Sequence, residues 1–455
     1  MRRRHFVVLV AALLAAGCGS DDPAPLSGET LTVWNHESQP DRLAATEAIL
    51  DDFTRSTGIQ TAQVPIPEDG LPRMVRRARA DGELPDVVLS TGMQHAQRYV
   101  AEGIFDAAAA QEVVDRLGRE TFSQRALALV ASDGGSSGVP SDGWGQLLIY
   151  RKDLFDQAGL QAPQTLTDVV AAAKELDRGG MAGIALATAP GDGFTHETFE
   201  HIGLAQGCQL VDAAADVTFD SPECVDALRL YAELAQRYSL EGVQDVDSTR
   251  AAYFSGRAAM LFWSPFLLDG LAGLSDENLP TCTECKQDPA YLARSSGLVG
   301  PLAGSTGEPS QFGSVSTFNI TVDAPTEAAQ RLVEYLMSDG YVRWLGLSPQ
   351  GKYPVRAGDA DDPEKFSKAW AELESGIDRK APLSEFYSEA SIASLGEGVA
   401  NFQRWGFAQG EGALVGALAE NQPVANAVVE VIRGRAPEAA ARDVQATVER
   451  LKDGL

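Results

Sequence analysis

Three short runs of this chain hold residue types that could do chemistry. Gly134-Gly135-Ser136-Ser137-Gly138 has the G-x-S-x-G spacing of a serine nucleophile elbow. That motif needs a strand before it and a helix after it to expose the hydroxyl at a sharp turn. Pro140 follows almost at once, so the run reads as a flexible loop and no catalytic residue is expected. His196-Glu197-Thr198-Phe199-Glu200-His201 is close to the zinc motif H-E-x-x-H, with its second His one residue late. Five helical residues turn through roughly 500°, which leaves the two rings about 140° apart and unable to share one metal. Polar residues on a surface helix are the expectation there, with no metal and no cofactor. Cys282-x-x-Cys285 could be a redox motif, half of a zinc site or a disulfide. A redox pair of this kind opens a helix, whereas Pro280 precedes this one and Lys286-Gln287-Asp288-Pro289 follows, which is loop.

The state of the cysteines depends on the compartment, and the first eighteen residues bear on that. Arg2, Arg3 and Arg4 precede an apolar run from Phe6 to Ala16, and Ala15-Ala16-Gly17 leads into Cys18. A basic start, a short apolar segment and small residues describe an export signal. The run is far short of the roughly 20 residues that span a bilayer. Cys18 sits where a bacterial lipobox places its lipidated cysteine. The alternatives are an ordinary signal peptide with a chance Cys, or a twin-arginine signal at Arg3-Arg4. Residues 1–17 are thus expected to be a lipoprotein signal, and 18–30 a tether rich in Ser, Asp, Pro and Gly. In an oxidising compartment the remaining four cysteines pair most simply as Cys208–Cys224 and Cys282–Cys285, each closing a local loop. The formal net charge of −27 becomes more negative once the arginines of the signal are lost. Such a surface repels phosphate backbones, so nucleic acid is excluded as a partner.

The elements that must position any site alternate between strand and helix, which indicates an α/β layer architecture. Strands are expected at 31–34, 61–66, 84–90, 146–150 and 184–186. Helices are expected at 41–57 with Gly58 as stop, at 152–158 with Gly159 as cap, and at 167–178 with Thr167 as cap. Further helices are expected at 221–238, 250–256 and 327–345, and the last sixty residues have helical spacing throughout. A chain of 455 residues is too large for one simple core and suggests two lobes.

Several blocks, in a shared order, resemble the family 1 extracellular solute-binding proteins of ABC importers, the maltose-binding-like group. They are Leu84-Pro85-Asp86-Val87-Val88; Gly138-Val139-Pro140; Leu148-Ile149-Tyr150-Arg151-Lys152-Asp153-Leu154-Phe155; Tyr253-Phe254-Ser255-Gly256-Arg257-Ala258-Ala259-Met260 with Trp263-Ser264-Pro265-Phe266; Leu298-Val299-Gly300-Pro301-Leu302; and Gly351-Lys352-Tyr353-Pro354-Val355. The family usually has Tyr-Asn where this chain has Tyr150-Arg151. The resemblance implies a two-lobe, type II periplasmic binding protein-like fold, each lobe a central sheet flanked by helices. It implies hinge crossings near Pro140, within 302–311 and near Tyr353. Lobe 1 would be 31–139 with 311–352, and lobe 2 would be 140–310 with 353–455. The implied function is capture of a small solute, a saccharide or polyol, and its delivery to a membrane permease by a lipid-anchored monomer outside the cytoplasm. Glycerol phosphate esters, another non-sugar solute, and a secreted hydrolase are the alternatives.

In such clefts, loops at the carboxyl ends of strands supply the contacts. His36 and Glu37 follow the first strand, and Ser90 and Thr91 the third. Asp142 and Trp144 lie beyond the first crossing, and Phe194 and Thr195 lie where the family often sets an aromatic. Trp263 and Phe266, Phe312 and Ser314, and Tyr353 and Arg356 complete the expected set. Aromatic faces suit the C–H surface of a sugar, and carboxylates and guanidinium groups suit its hydroxyls.

Overall fold

A computed structural model describes residues 30–67, 70–304 and 308–455. The expected export signal, Cys18 and most of the expected tether lie outside the described residues. Eleven strands matter here. They are β1 (Thr30–Asn35), β2 (Gln60–Pro65), β3 (Val87–Gly92), β4 (Ala131–Ser132), β5 (Gly135–Ser136), β6 (Val139–Gly145), β7 (Leu147–Arg151), β8 (Met260–Trp263), β9 (Ser296–Val299), β10 (Gly313–Ile320) and β11 (Tyr353–Pro354). A six-stranded sheet runs β11-β6-β10-β3-β1-β2, and a three-stranded sheet runs β8-β7-β9. β1 lies parallel to β2 and β3, while β10 runs antiparallel between β3 and β6. No helix of the described residues is long and apolar enough to cross a membrane.

Local chemistry explains most boundaries. The helix Pro40–Thr57 starts with Pro in its first turn and stops at Gly58, which takes φ 78° and returns its N–H to Thr54. The helix Leu166–Leu176 begins at Thr165, not Thr167, because Thr165 and Asp168 cap each other reciprocally. Asp245 and Ser248 do the same for Val246–Phe254, so this helix starts before the expected residue 250. The expected helix over 327–345 is two, Thr326–Leu336 and Tyr341–Leu345. The break turns Tyr341 and Trp344 inward, both fully buried. Residues 184–186 are buried but pair with β8 only through an isolated parallel bridge, Ala185 to Leu261.

Residues 140–145, assigned to the second lobe from the sequence, run in β6 of the six-stranded sheet, as does β11 at Tyr353–Pro354. The change of sheet falls at Gln146, whose N–H donates to Phe312 O and whose carbonyl accepts from Gln311 Nε2 at 2.8 Å. The helix Glu389–Asn401 still packs on β6 and β10. Trp405 is the first later residue in the core of the second sheet. The strands thus meet at three glutamines, because Gln403 N–H donates to Gln311 O.

The second core lies on one face of the three-stranded sheet. Leu148, Met260 and Phe262 meet Phe199, Leu228, Trp405, Val428 and Val444 there. Cys208–Cys224 is bonded inside that core, and Cys282–Cys285 is bonded in a loop. A Cys208→Ala/Cys224→Ala variant should lose about 3 kcal/mol, the chain-entropy value for a loop near this length. Urea denaturation with and without the pair checks this, and an unchanged midpoint would refute it.

Candidate ligand cleft between the two sheets

The carboxyl ends of β1 and β3 come together around a buried charge cluster. Lys352, 1 % exposed, lies 2.5 Å from Glu37 Oε1 and 3.5 Å from Asp142 Oδ1. Arg42 Nη1 donates to Glu37 Oε2 at 2.7 Å, and Ser90 Oγ donates to Glu37 Oε1 at 2.8 Å. Asp142 Oδ2 accepts from the Trp344 indole at 2.9 Å and from Ser141 Oγ at 2.7 Å. Burial alone would raise the Glu37 carboxyl. The charges and hydrogen bonds of Lys352 and Arg42 outweigh it and hold the group far below the usual carboxylate range. Ser90 sits at φ 61°, an uncommon conformation for a residue with a side chain, and its carbonyl lies 3.3 Å from His36 Nδ1.

Two aromatic pairs involve residues of β6 and β8. Trp144 and Phe312 stand 5.7 Å apart, as do Phe194 and Trp263. Trp144, Phe194 and Trp263 are half-buried, and the buried Trp263 Nε1 has no hydrogen-bond partner. Thr91 Oγ1 and His95 Nδ1 also lack partners. A buried polar atom without a partner costs on the order of 1–3 kcal/mol unless something satisfies it. Burial, helped by His36, Arg404 and Arg98, pushes the His95 imidazole down to about 4. Arg404 lies where the sheets meet. It donates to Glu200 Oε1 at 3.0 Å and to Gly313 O at 3.3 Å, and it stacks 4.5 Å from the centre of Phe312. Arg404 and His196 outweigh burial to keep Glu200 ionised.

Other expected residues have structural positions. The Arg356 guanidinium is consumed by Thr121 Oγ1, Met337 O and Leu117 O, between the rings of Phe122 and Phe366. It ties the chain around Leu117 and Thr121 to the end of the helix Thr326–Leu336 at Met337. Phe312 is fully buried beneath Arg404, and Tyr353 meets Trp370 edge to face with ring centres 4.7 Å apart. Thr195 closes the N-terminus of the helix Gly193–Gln206 with Asp192. Ser314 lies in the sheet opposite Trp144. Phe266 packs flat on Gly351, where a Cβ would collide with its ring, and lies under Arg42.

The chemistry considered from the sequence also finds its place. Ser136 lies in the β4–β5 hairpin, buried, with its hydroxyl donating to Gly138 O at 2.6 Å. The helix of His196 and His201 is buried, not on the surface, because it lies between the second sheet and other helices. His201 faces Gln146 at 3.1 Å, and His196 faces Glu200. Lys352, Arg42, His95 and Arg404 were not anticipated. A lone Lys in Gly351-Lys352-Tyr353-Pro354 and a lone Arg among Phe402, Trp405 and Phe407 were the available signals. Two shallow depressions, of about 240 Å³ near Leu160 and about 410 Å³ near Val243, are lined by none of these cleft residues.

Lys352→Met leaves two buried carboxylates with less compensation and should cost about 3–5 kcal/mol. Adding Glu37→Gln and Asp142→Asn should restore much of that, and denaturant titration of both variants decides it. Burial pushes His201 from 6.5 down to about 3. The unfolded chain therefore takes up this proton first, so the stabilising contribution is complete above pH 6.5 and lost as pH falls towards 3. His201→Gln should flatten the acid side of the stability curve by up to about 1.4 kcal/mol per pH unit in that window.

Comparison with known proteins identifies the fold and the family. YcjN of Escherichia coli (strain K12), whose name assigns it to ABC transporter periplasmic-binding proteins, is 26% identical over 357 residues, covering 76% of this chain and 77% of that protein. A solute-binding protein from Thermotoga lettingae TMO, solved with alpha-D-tagatose, superimposes with TM-score 0.72 at 20% identity, covering 93% of this chain and 100% of that one. The GacH receptor of Streptomyces glaucescens GLA.O, solved unliganded and with acarbose, gives TM-score 0.72 at 18% identity, covering 94% and 98%. Both share the fold of this chain. The profile of the bacterial extracellular solute-binding proteins matches residues 36–343, and this chain belongs to that family.

Proposed function

We propose that the protein captures a saccharide or polyol in the cleft between its two sheets and passes it to the membrane permease of an ABC importer. The observation that carries this reading is the pairing of half-buried rings, Trp144 and Phe194 with Trp263, with buried polar atoms that lack partners. A polyhydroxylated solute offers apolar C–H faces to the rings and hydroxyls to Trp263 Nε1, Thr91 Oγ1 and His95 Nδ1. The relatives named above support it, one of them solved with alpha-D-tagatose and another with acarbose. One lobe is built on the six-stranded sheet and the other on the three-stranded sheet, with the crossings at Gln146, Gln311 and Gln403. Solute bridging both lobes stabilises the closed form. Cys18 is the lipid attachment point, so the body works as a monomer tethered at the outer face of the cytoplasmic membrane.

A thermal-shift screen against mono-, di- and oligosaccharides, polyols and glycerol phosphodiesters tests this. A solute at 100 times its Kd should add about 2.7 kcal/mol of stability. Stabilisation by glycerol phosphodiesters alone would replace the sugar by that class, and no response to any of them would sink the reading. For a sugar that binds, Trp263→Ala should weaken affinity by about tenfold or more, the loss of one ring platform and one donor. Calorimetric titration of the two proteins measures it.

A further inference from the structure

The helix Gly412–Asn421 belongs to the core of the second sheet through Leu414, Val415 and Leu418. Its other face lies directly on the helix Met93–Ala101, whose Ala96 and Tyr99 pack with Trp34 and Val88 of the first sheet. Two glycines one turn apart allow the approach. A Cβ on Gly416 would collide with the Gln94 carbonyl, and one on Gly412 would lie 2.7 Å from Gln97 Cγ. At the end of the same helix, Glu420 meets three partners from the first sheet's helices. Arg76 Nη1 lies 3.1 Å from Oε2, Arg98 Nε 3.7 Å from Oε2, and Tyr99 OH donates to Oε1 at 3.3 Å. The Glu420 side chain is only 9 % exposed but that of Arg76 is 62 % exposed, so salt reaches the cluster from the arginine side. The helix then turns at Gln422, φ 49°, into Pro423–Ile432, whose Val424, Val428 and Val431 are anchored in the second core.

We infer that the helix Gly412–Asn421 is a latch that holds the two sheets together without solute, through Gly412 and Gly416 on one helix and Glu420 on two. The inference rests on the two-lobe reading. A latch of this kind sets how much of the solute-free protein is closed, and hence how far binding shifts the equilibrium. Its two parts differ physically. The glycine contact is steric and indifferent to salt, whereas the Glu420 cluster weakens as ionic strength rises.

Small-angle scattering and hydrogen exchange on the solute-free protein test the latch. Glu420→Gln and Gly416→Ala should each raise the radius of gyration. Each should also speed exchange of the amides in Gly412–Asn421 by about fivefold, the low end of a site-to-site coupling. Salt should expand the parent and leave Glu420→Gln unchanged. Arg77→Ala, which removes an exposed pair with Asp81 on a neighbouring helix face, is the control and should do neither. If Gly416→Ala does not fold, Glu420→Gln with the salt series decides alone. Scattering and exchange identical to the parent in the folded variants would overturn the latch. No solute enters these measurements, so failure of the sugar reading and failure of the latch are seen separately.

Discussion

A lysine ammonium cannot stay charged in a protein interior unless opposite charge is built around it, and Lys352 is the point at which this molecule meets that demand. Glu37 comes from the end of β1, Asp142 from β6, and Lys352 from the turn before β11. Three separate pieces of chain are thereby held in one place. The rest of the first sheet's cleft edge follows from it. Glu37 takes the Ser90 hydroxyl and holds that residue in its unusual backbone conformation, which brings its carbonyl close to His36. Asp142 takes the Trp344 indole, which accounts for the inward turn between the two helices after β10. Arg42 completes the cluster and lies against Phe266, which follows β8 of the other sheet.

Where the chain passes between sheets, nature of the side chains changes from charged to amide. Gln146, Gln311 and Gln403 are joined by main-chain and side-chain hydrogen bonds at the crossings. A neutral amide donates and accepts while costing far less to bury than an ion. Charge enters at Arg404, which touches both sides, through Gly313 O of the first sheet and Glu200 of the second. The crossings therefore combine neutral strands with one ion pair between the bodies they join.

Membership in the extracellular solute-binding family sets the task of this architecture. Trp144, Phe194 and Trp263 are half-buried, and Trp263 Nε1, Thr91 Oγ1 and His95 Nδ1 lack partners, while the ion cluster joins the loops that carry Glu37, Ser90 and Lys352. The helix Gly412–Asn421 adds a direct contact between the second core and the helix Met93–Ala101 beside the first sheet.

Much of the fold could be read in the chain without its structure. The apolar periodicity of 41–57 with Gly58, the run at 84–90, and the two cysteine pairs all reflect interactions among near neighbours, and near neighbours are what a sequence displays. Glu37 and Trp263 were visible as residue types at strand ends, and Asp142 and Trp144 as residue types beyond the first crossing. Their partners were not. Lys352 is distant in sequence from Glu37 and Asp142, and Arg404 from Glu200, and no local spacing encodes a pair brought together by sheet order. The same gap hid the partners of Arg356, expected at the cleft and held by Thr121 Oγ1, Met337 O and Leu117 O, and hid the pairing with β10 that carries β6 past Pro140 to Gly145. The sequence by itself determined the class of fold, the local caps and the chemical repertoire. Only the tertiary structure decided which charges face each other, because a buried ion is settled by whatever the folded chain places within a few ångströms of it.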